Sequence, residues 1–226
     1  MKIDLIKLLL YFSFLINPGI SMNNKWLRWA TDLHSIAQAG LTFSTDRYDL
    51  DRYEKIRNIV VEILHEYTDL DNKKIRELFA SETGYQTPKV DIRASVFNGN
   101  KILMVREKVD GAWSLPGGWA DVNTSVSESA IRECLEEAGA VVKPKRIVAI
   151  HLGNKHNNPQ FLFTIYKIFV ECELIEYRFK ENTETLGAAF FDSDQLPELS
   201  FERNTPGQIK MCFDARKCEL FETIFD

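Results

Sequence analysis

Gly117-Gly118-Trp119-Ala120-Asp121, followed by Val126-Ser127-Glu128-Ser129-Ala130-Ile131-Arg132-Glu133-Cys134-Leu135-Glu136-Glu137-Ala138-Gly139, is the stretch on which the fold and the chemistry turn. The spacing predicts a helix over about Val126–Ala138, with Gly139 as its C-cap. At about 100° per residue, Glu133, Glu136 and Glu137 share an arc of roughly 100°, and Ile131, Cys134, Leu135 and Ala138 take the other side. An acidic helix face is ordinarily a solvated surface. Here no lysine follows at i+4, the apolar side is ready to pack, and a Gly-Gly loop precedes the cluster. Like charges this close repel unless a cation lies between them. Oxygen donors without His or Cys select a hard ion, Mg²⁺ or Mn²⁺, whose open positions suit water and phosphate oxygens. The chemistry indicated is phosphoryl or nucleotidyl transfer to water.

Outward from this helix the period is that of strands. Val90, Ile92, Ala94 and Val96 alternate with Asp91, Arg93 and Ser95, and Ile102 to Val105 follow across Asn98-Gly99-Asn100, a hairpin with an Asn-Gly turn. Further strands are expected at Ile147–Leu152, Phe161–Leu174 and Ala188–Phe191, with a second helix near Pro206–Cys218. Strands around one strong helix predict an α+β domain, a sandwich on a mixed sheet, over residues 87–226.

Before Pro88 the pattern is helical. Trp26, Ala30, Leu33, Ile36 and Ala37 form one amphipathic set that Gly40 can close; Tyr53, Ile56, Ile59, Val60, Ile63, Leu64 and Tyr67 form a second after the Asp-rich stretch Asp46 to Asp51; Ile75, Leu78 and Phe79 form a short third. Residues 22–86 read as a small helical domain. Three short helices invite comparison with a DNA-reading helix-turn-helix, but nine Lys and Arg against eleven Asp and Glu leave no basic footprint. Docking or dimerisation, as a homodimer, is the expected role, since such helices bury one apolar stripe. Residues 1–21 carry Lys2 and Lys7 around an apolar run from Leu8 to Ile16, ended by Asn17-Pro18-Gly19. That leader fits a signal peptide or an upstream in-frame artefact with Met22 as the start, and is too short to span a membrane.

Composition sets the outer bounds. The chain has 226 residues, 45% hydrophobic and 27% charged, with a net charge of −5, so it is globular and repels polyanions. Nucleic acid is not an expected partner, and any phosphate chemistry must be local. Cys134, Cys172, Cys212 and Cys218 show no zinc-ligand spacing, and such sparse usage fits a reduced, cytoplasmic protein.

The helix stretch resembles the Nudix hydrolase box, G-x5-E-x7-R-E-U-x-E-E-x-G-U with U apolar, matched by Gly118, Arg132, Glu133, Glu136, Glu137 and Gly139. The resemblance extends to Trp113-Ser114-Leu115-Pro116 before the box and Phe190-Phe191-Asp192 after it. It implies a Nudix-type α/β/α sandwich and hydrolysis of a diphosphate linkage. Glu133 and Glu137 would then be the main metal ligands, Glu136 a further ligand or holder of a bridging water, and Gly117 part of the metal site. Arg132 would orient them, and Glu184, more weakly Glu181, would be the loop candidate for general base. One departure stands out: the first glutamate of the box falls on Thr124, so Arg132 needs another partner, and Glu128, four residues back, is positioned to supply it.

The helical domain together with Leu115-Pro116-Gly117-Gly118-Trp119-Ala120-Asp121-Val122, Tyr166-Lys167 and Leu199-Ser200-x-x-Arg203-Asn204 is similar to a Nudix subfamily typified by CDP-choline pyrophosphatase, whose members are frequently labelled ADP-ribose pyrophosphatases. A CDP-choline-type substrate is the first expectation and ADP-ribose the alternative. A nucleotide-binding sensor without turnover is the alternative of another class, favoured only by Thr124. Arg93 and Arg106 are candidates to grip phosphates with planar guanidinium groups. Trp113 and Trp119 are candidates to stack a base or close over a quaternary ammonium. His151 and His156 are read as ordinary surface residues, and Cys134 and Cys172 as buried apolar ones.

Overall fold

The computed structural model describes residues 25–68, 75, 84–157, 164–180 and 182–226. The leader 1–21, most of the third apolar set around Ile75, the start of the strand at Phe161 and Glu181 lie outside the described residues. The chain divides into two compact units, Met1–Thr87 and Pro88–Asp226.

In the first unit, α1 (Lys25–Phe43) and α2 (Arg47–Tyr67) pack against each other. Gly40 does not end α1. It lies inside the helix, where a Cβ would come within 2.4 Å of the Tyr53 ring, so the glycine permits close approach of the two helices. The Asp-rich stretch is likewise part of a helix: Asp46 is the N-cap of α2, accepting from the Asp49 amide at 3.0 Å, and acidic groups suit that end of the dipole. Leu27, Ala30, Ala37, Val60, Val61 and Leu64 are buried, while Trp29, Ile36 and Phe43 are exposed. No described helix is long and apolar enough to cross a membrane.

The second unit is one mixed sheet with a helix against each face. Its strands are β1 (Lys89–Asn98), β2 (Lys101–Glu107), β3 (Trp113–Ser114), β4 (Gly117–Trp119), β5 (Ala140–Leu152), β6 (Ile165–Tyr177), β7 (Thr185–Phe191) and β8 (Ile224–Phe225). The order is β3-β2-β1-β6-β5-β8, with β4 on β1 and β7 on β2. The β1–β6 and β5–β8 pairs are parallel and the other pairs antiparallel. The helices are α3 (Val126–Ala138), a single turn α4 (Gly153–His156) and α5 (Pro206–Lys217).

Two apolar clusters follow from strand alternation. Ile92, Ala94, Leu103, Val105 and Val170 meet Ala130, Cys134 and Ala138 of α3; Phe97, Ile102, Met104, Val148 and Phe169 meet Ile209, Cys212 and Phe213 of α5. This double cover buries the polar residues of β1 as well as the apolar ones: Asp91, Arg93 and Ser95 are 3%, 5% and 0% exposed. The hairpin turn also differs. Asn98 pairs with Lys101, so Gly99 and Asn100 are the central residues, and Gly99 supplies the positive φ of 60° at the first of them. Strand β5 starts seven residues earlier than expected, because register shifts accommodate Pro144 within the pairing to β6.

Candidate active site

Helix α3 starts with a capping box: Ser125 Oγ accepts from the Glu128 amide, and Glu128 Oε2 accepts from the Ser125 amide at 2.8 Å. Glu128 therefore does not support Arg132, as had been expected. Asp121 does, forming an ion pair with Arg132 Nη1, while Nη2 donates to Glu133 Oε1 at 2.7 Å. The pattern Ser125-x-x-Glu128 was the sequence signal for this division of labour. Thr124 closes the intervening turn, its hydroxyl donating to Asp121 O at 2.6 Å and lying 3.2 Å from Ser129 Oγ. The departure from the box is thus used to hold Asp121 in place.

The helix is rotated relative to the expected packing. Glu133 and Glu137 lie on its buried side with Ala130, Cys134 and Ala138, whereas Ile131 and Leu135 are exposed. Glu136 remains at the solvent edge, with its side chain 60% exposed. Among the described residues the Glu137 carboxylate accepts one hydrogen bond, from the Gly117 amide at 2.8 Å. Gly117 reaches that position with φ of 148° because a Cβ would lie 2.0 Å from Ile92 O. A Cβ on Gly118 would lie 3.4 Å from Glu133 Oε2, so the Gly-Gly loop runs directly over both carboxylates.

Burial raises the carboxyl pKa of Glu133, opposed by Arg132. Burial also pushes Glu137 well up, reinforced by Glu107 and opposed by Arg93. Two buried carboxylates on one helix face, Glu133 met by Arg132 and Glu137 by a backbone amide, suit a hard divalent cation. Glu133, Glu137 and the more exposed Glu136 fit Mg²⁺ or Mn²⁺ by chemistry and placement.

Arg93 does not grip phosphate. Its guanidinium is locked in the sheet, with Nη2 2.8 Å from Asp91 Oδ1, Nε 3.1 Å from both Asp91 oxygens and Nη1 3.2 Å from Leu115 O. Lys167 Nζ adds a bond to Asp91 Oδ2 at 2.6 Å. Burial alone would raise the Asp91 carboxyl, but Arg93 and Lys167 outweigh it and hold it at about 2. Burial lowers Lys167 to about 8 against the pull of Asp91. Trp113 is also committed elsewhere: its ring packs edge-on against Phe191 at 4.7 Å, and its backbone pairs with Glu198 and Ser200. Arg106 is exposed, with Nε donating to Gly111 O at 2.8 Å, and Trp119 is half-buried at the end of β4.

The segment Leu199–Asn204 explains its presence in the sequence pattern. Arg203 Nε and Ser114 Oγ both donate to Glu107 Oε1, at 2.5 and 2.6 Å, and Asn204 Oδ1 accepts from the Leu115 amide at 2.7 Å. The sequence reading missed the pairings of Asp91 with Lys167 and of Glu107 with Arg203, since nothing local marks residues so far apart in the chain as partners.

Glu184 is exposed on a loop stitched to α3. Asn182 Nδ2 and Thr185 Oγ1 donate to Glu137 O at 3.1 and 2.8 Å, and Asn182 Oδ1 accepts from the Glu184 amide at 2.9 Å. A shallow groove beside Glu136 and Gly139 is lined by Arg178, Lys180 and Asn182, two cations that the sequence reading also passed over.

Comparison with known proteins gives the same picture. Residues 24–79 match the family described as "UDP-X-like, N-terminal oligomerisation domain", and residues 82–211 match the NUDIX domain. A Bacillus subtilis protein provisionally named ADP-ribose pyrophosphatase YjhB is 42% identical over 92% of this chain and all of its own length. The crystal structure of an ADP-ribose pyrophosphatase from Streptococcus suis is 44% identical, with a TM-score of 0.58, covering 62% of this chain and all of that one. A UDP-X diphosphatase structure is 30% identical, also with a TM-score of 0.58, over 90% of this chain and all of that one. With Glu133 and Glu137 of the box buried on one helix face and the NUDIX domain matching more than half of the chain, the chain belongs to the Nudix family of hydrolases.

Proposed function

We propose that this protein hydrolyses the diphosphate linkage of a nucleoside diphosphate joined to a second moiety, releasing two monophosphates with Mg²⁺ or Mn²⁺ as cofactor. The observation that carries the reading is the pair of buried carboxylates, Glu133 and Glu137, under the Gly117-Gly118 loop. The cation supplies charge neutralisation at the diphosphate and a more acidic attacking water when bound. Arg132, itself paired with Asp121, orients Glu133 by a hydrogen bond, and the Gly117 amide orients Glu137. Arg106, with Arg178 and Lys180 beside Glu136, offers cations to the phosphates. Glu184 is the candidate to take a proton from water, on a loop anchored to the same helix.

For the second moiety, the names of the two relatives above 40% identity favour ADP-ribose, giving AMP and ribose 5-phosphate, while the UDP-X diphosphatase structure, covering 90% of this chain, keeps a UDP-linked compound beside it. The CDP-choline-type reading, giving CMP and phosphocholine, keeps Trp119 but loses Trp113 as an aromatic wall. Exposed Trp29, Leu33 and Ile36 recur on one face of α1, which supports pairing of two chains as a homodimer through the helical unit.

The test is product release from ADP-ribose, UDP-glucose and CDP-choline in parallel, with Mg²⁺, Mn²⁺ or EDTA. Cation-dependent release, with ADP-ribose at the highest kcat/KM, supports the first reading, and CMP release at the highest value replaces it with the second. Silence on all three with tight nucleotide binding overturns the enzymatic proposal in favour of a sensor.

A further inference from the structure

At the edge of the sheet opposite β3, the strand pair β5–β8 brings together three residues that the diphosphate chemistry does not use. Ile150 is in register with Phe225, so the next residue on each strand, His151 and Asp226, come side by side. Helical turn α4 folds His156 back over them: its ring stacks on His151 at 4.0 Å and 8°, and its Nε2 lies 3.0 Å from Asp226 Oδ1. One ligand atom from each of the three lies within 4.8 Å of the others.

His151 is 6% exposed, backed by the Phe169 ring at 5.6 Å. Its Nδ1 is buried with no hydrogen-bond partner, a costly arrangement for a ring nitrogen. Asp226 is oriented from behind, its Oδ2 accepting from the Leu152 amide at 3.3 Å and lying 3.8 Å from the exposed Lys155 ammonium. Oδ1 is thereby left for a ligand on the His156 side.

We propose that His151, His156 and Asp226 form a second metal site, selective for a borderline divalent ion of the Zn²⁺ class. Two imidazole nitrogens and one carboxylate oxygen suit Zn²⁺ and its transition-metal neighbours, whereas the all-oxygen face of α3 suits Mg²⁺. Tetrahedral bonds of about 2.1 Å place ligand atoms roughly 3.4 Å apart, so the His156–Asp226 pair needs little movement, while the two stacked rings must open towards each other to bring both in-plane lone pairs onto one ion. Such an ion fastens β8 to β5 and α4 while leaving a coordination position open to solvent.

The full chain is dialysed against Zn²⁺ with metal content measured directly, and against Co²⁺ with the visible band of tetrahedral Co²⁺ recorded. Wild type, H156A, D226N and E133Q/E137Q are compared. The site predicts one Zn²⁺ per chain that persists in E133Q/E137Q and weakens by at least roughly 10–100-fold in H156A and in D226N, since removing a ligand costs no less than removing its hydrogen-bonding support. His156 and Asp226 are at the surface, so these variants keep the fold, and circular dichroism verifies it. No uptake by wild type at micromolar Zn²⁺ overturns the proposal. Uptake that is lost in E133Q/E137Q, or unchanged in both H156A and D226N, overturns it equally.

Discussion

Replacing Asp91 by Asn removes the one anion between two buried cations. The amide has nearly the same shape, but Arg93, at 2.8 Å, stays charged without its hydrogen-bonded carboxylate, and Lys167, at 2.6 Å and already lowered to about 8 by burial, loses the anion that holds its proton. Breaking a buried pair in this way costs about 3–5 kcal/mol, because the charge left behind is desolvated and unpaired. The same residue predicts a pH effect. Its carboxyl is held at about 2 when folded, against an ordinary 3.8, a depression worth about 2 kcal/mol. A depressed acid stabilises the fold above its unfolded pKa, so this contribution is present at neutral pH and lost as pH falls from about 4 through about 2. Urea unfolding followed by tryptophan fluorescence measures both. D91N should show a lower midpoint at pH 7 with an unchanged m value and should lack this acid-dependent loss. The double variant D91N/K167M should recover part of the deficit, since one stranded cation is gone. A D91N loss below about 1 kcal/mol would refute the argument that this network is held together by charge.

Glu137→Gln should lower kcat by more than roughly 100-fold while the melting temperature stays within a few degrees, because the carboxylate proposed to hold the cation is lost and an amide still fills the space. Ser125→Ala breaks the capping box and should cost about 0.5–2 kcal/mol in chemical denaturation, with a smaller effect on KM than on stability. Gly117→Ala should fail to accumulate as folded protein, or melt well below wild type in a thermal scan, since the new Cβ meets Ile92 O at 2.0 Å.

Much of this architecture is legible in local patterns, and what is not has a common cause. The catalytic helix, its glycine cap and the helix at Pro206 are written in periodicity and capping residues, which act over a few positions. The rotation of α3 was not, because the choice between burying Glu133 and Glu137 or Ile131 and Leu135 is made by the sheet and the Gly-Gly loop. Pattern alone assigns carboxylates to solvent, and a functional site is where that rule yields. Arg93 failed similarly: alternation along β1 gives the face it points to, but α5, more than a hundred residues later, decides whether that face is wet. The Asp121–Arg132 pair depends on a turn shaped by Thr124, beyond the reach of helix spacing.

The parallel pairing of β1 with β6, which joins Lys89 to Ile165, lies at the centre of the sheet. During synthesis the β1–β2 hairpin therefore emerges with apolar side chains on both faces and must wait some seventy residues past Glu107 for β6, its second edge, and about 110 for α5, the second covering helix. Non-local strand pairing of this kind makes folding slow and leaves an exposed, sticky edge on the nascent chain. The same central strand that gives the mature protein its buried charge network makes the half-finished one dependent on prompt completion or on a chaperone.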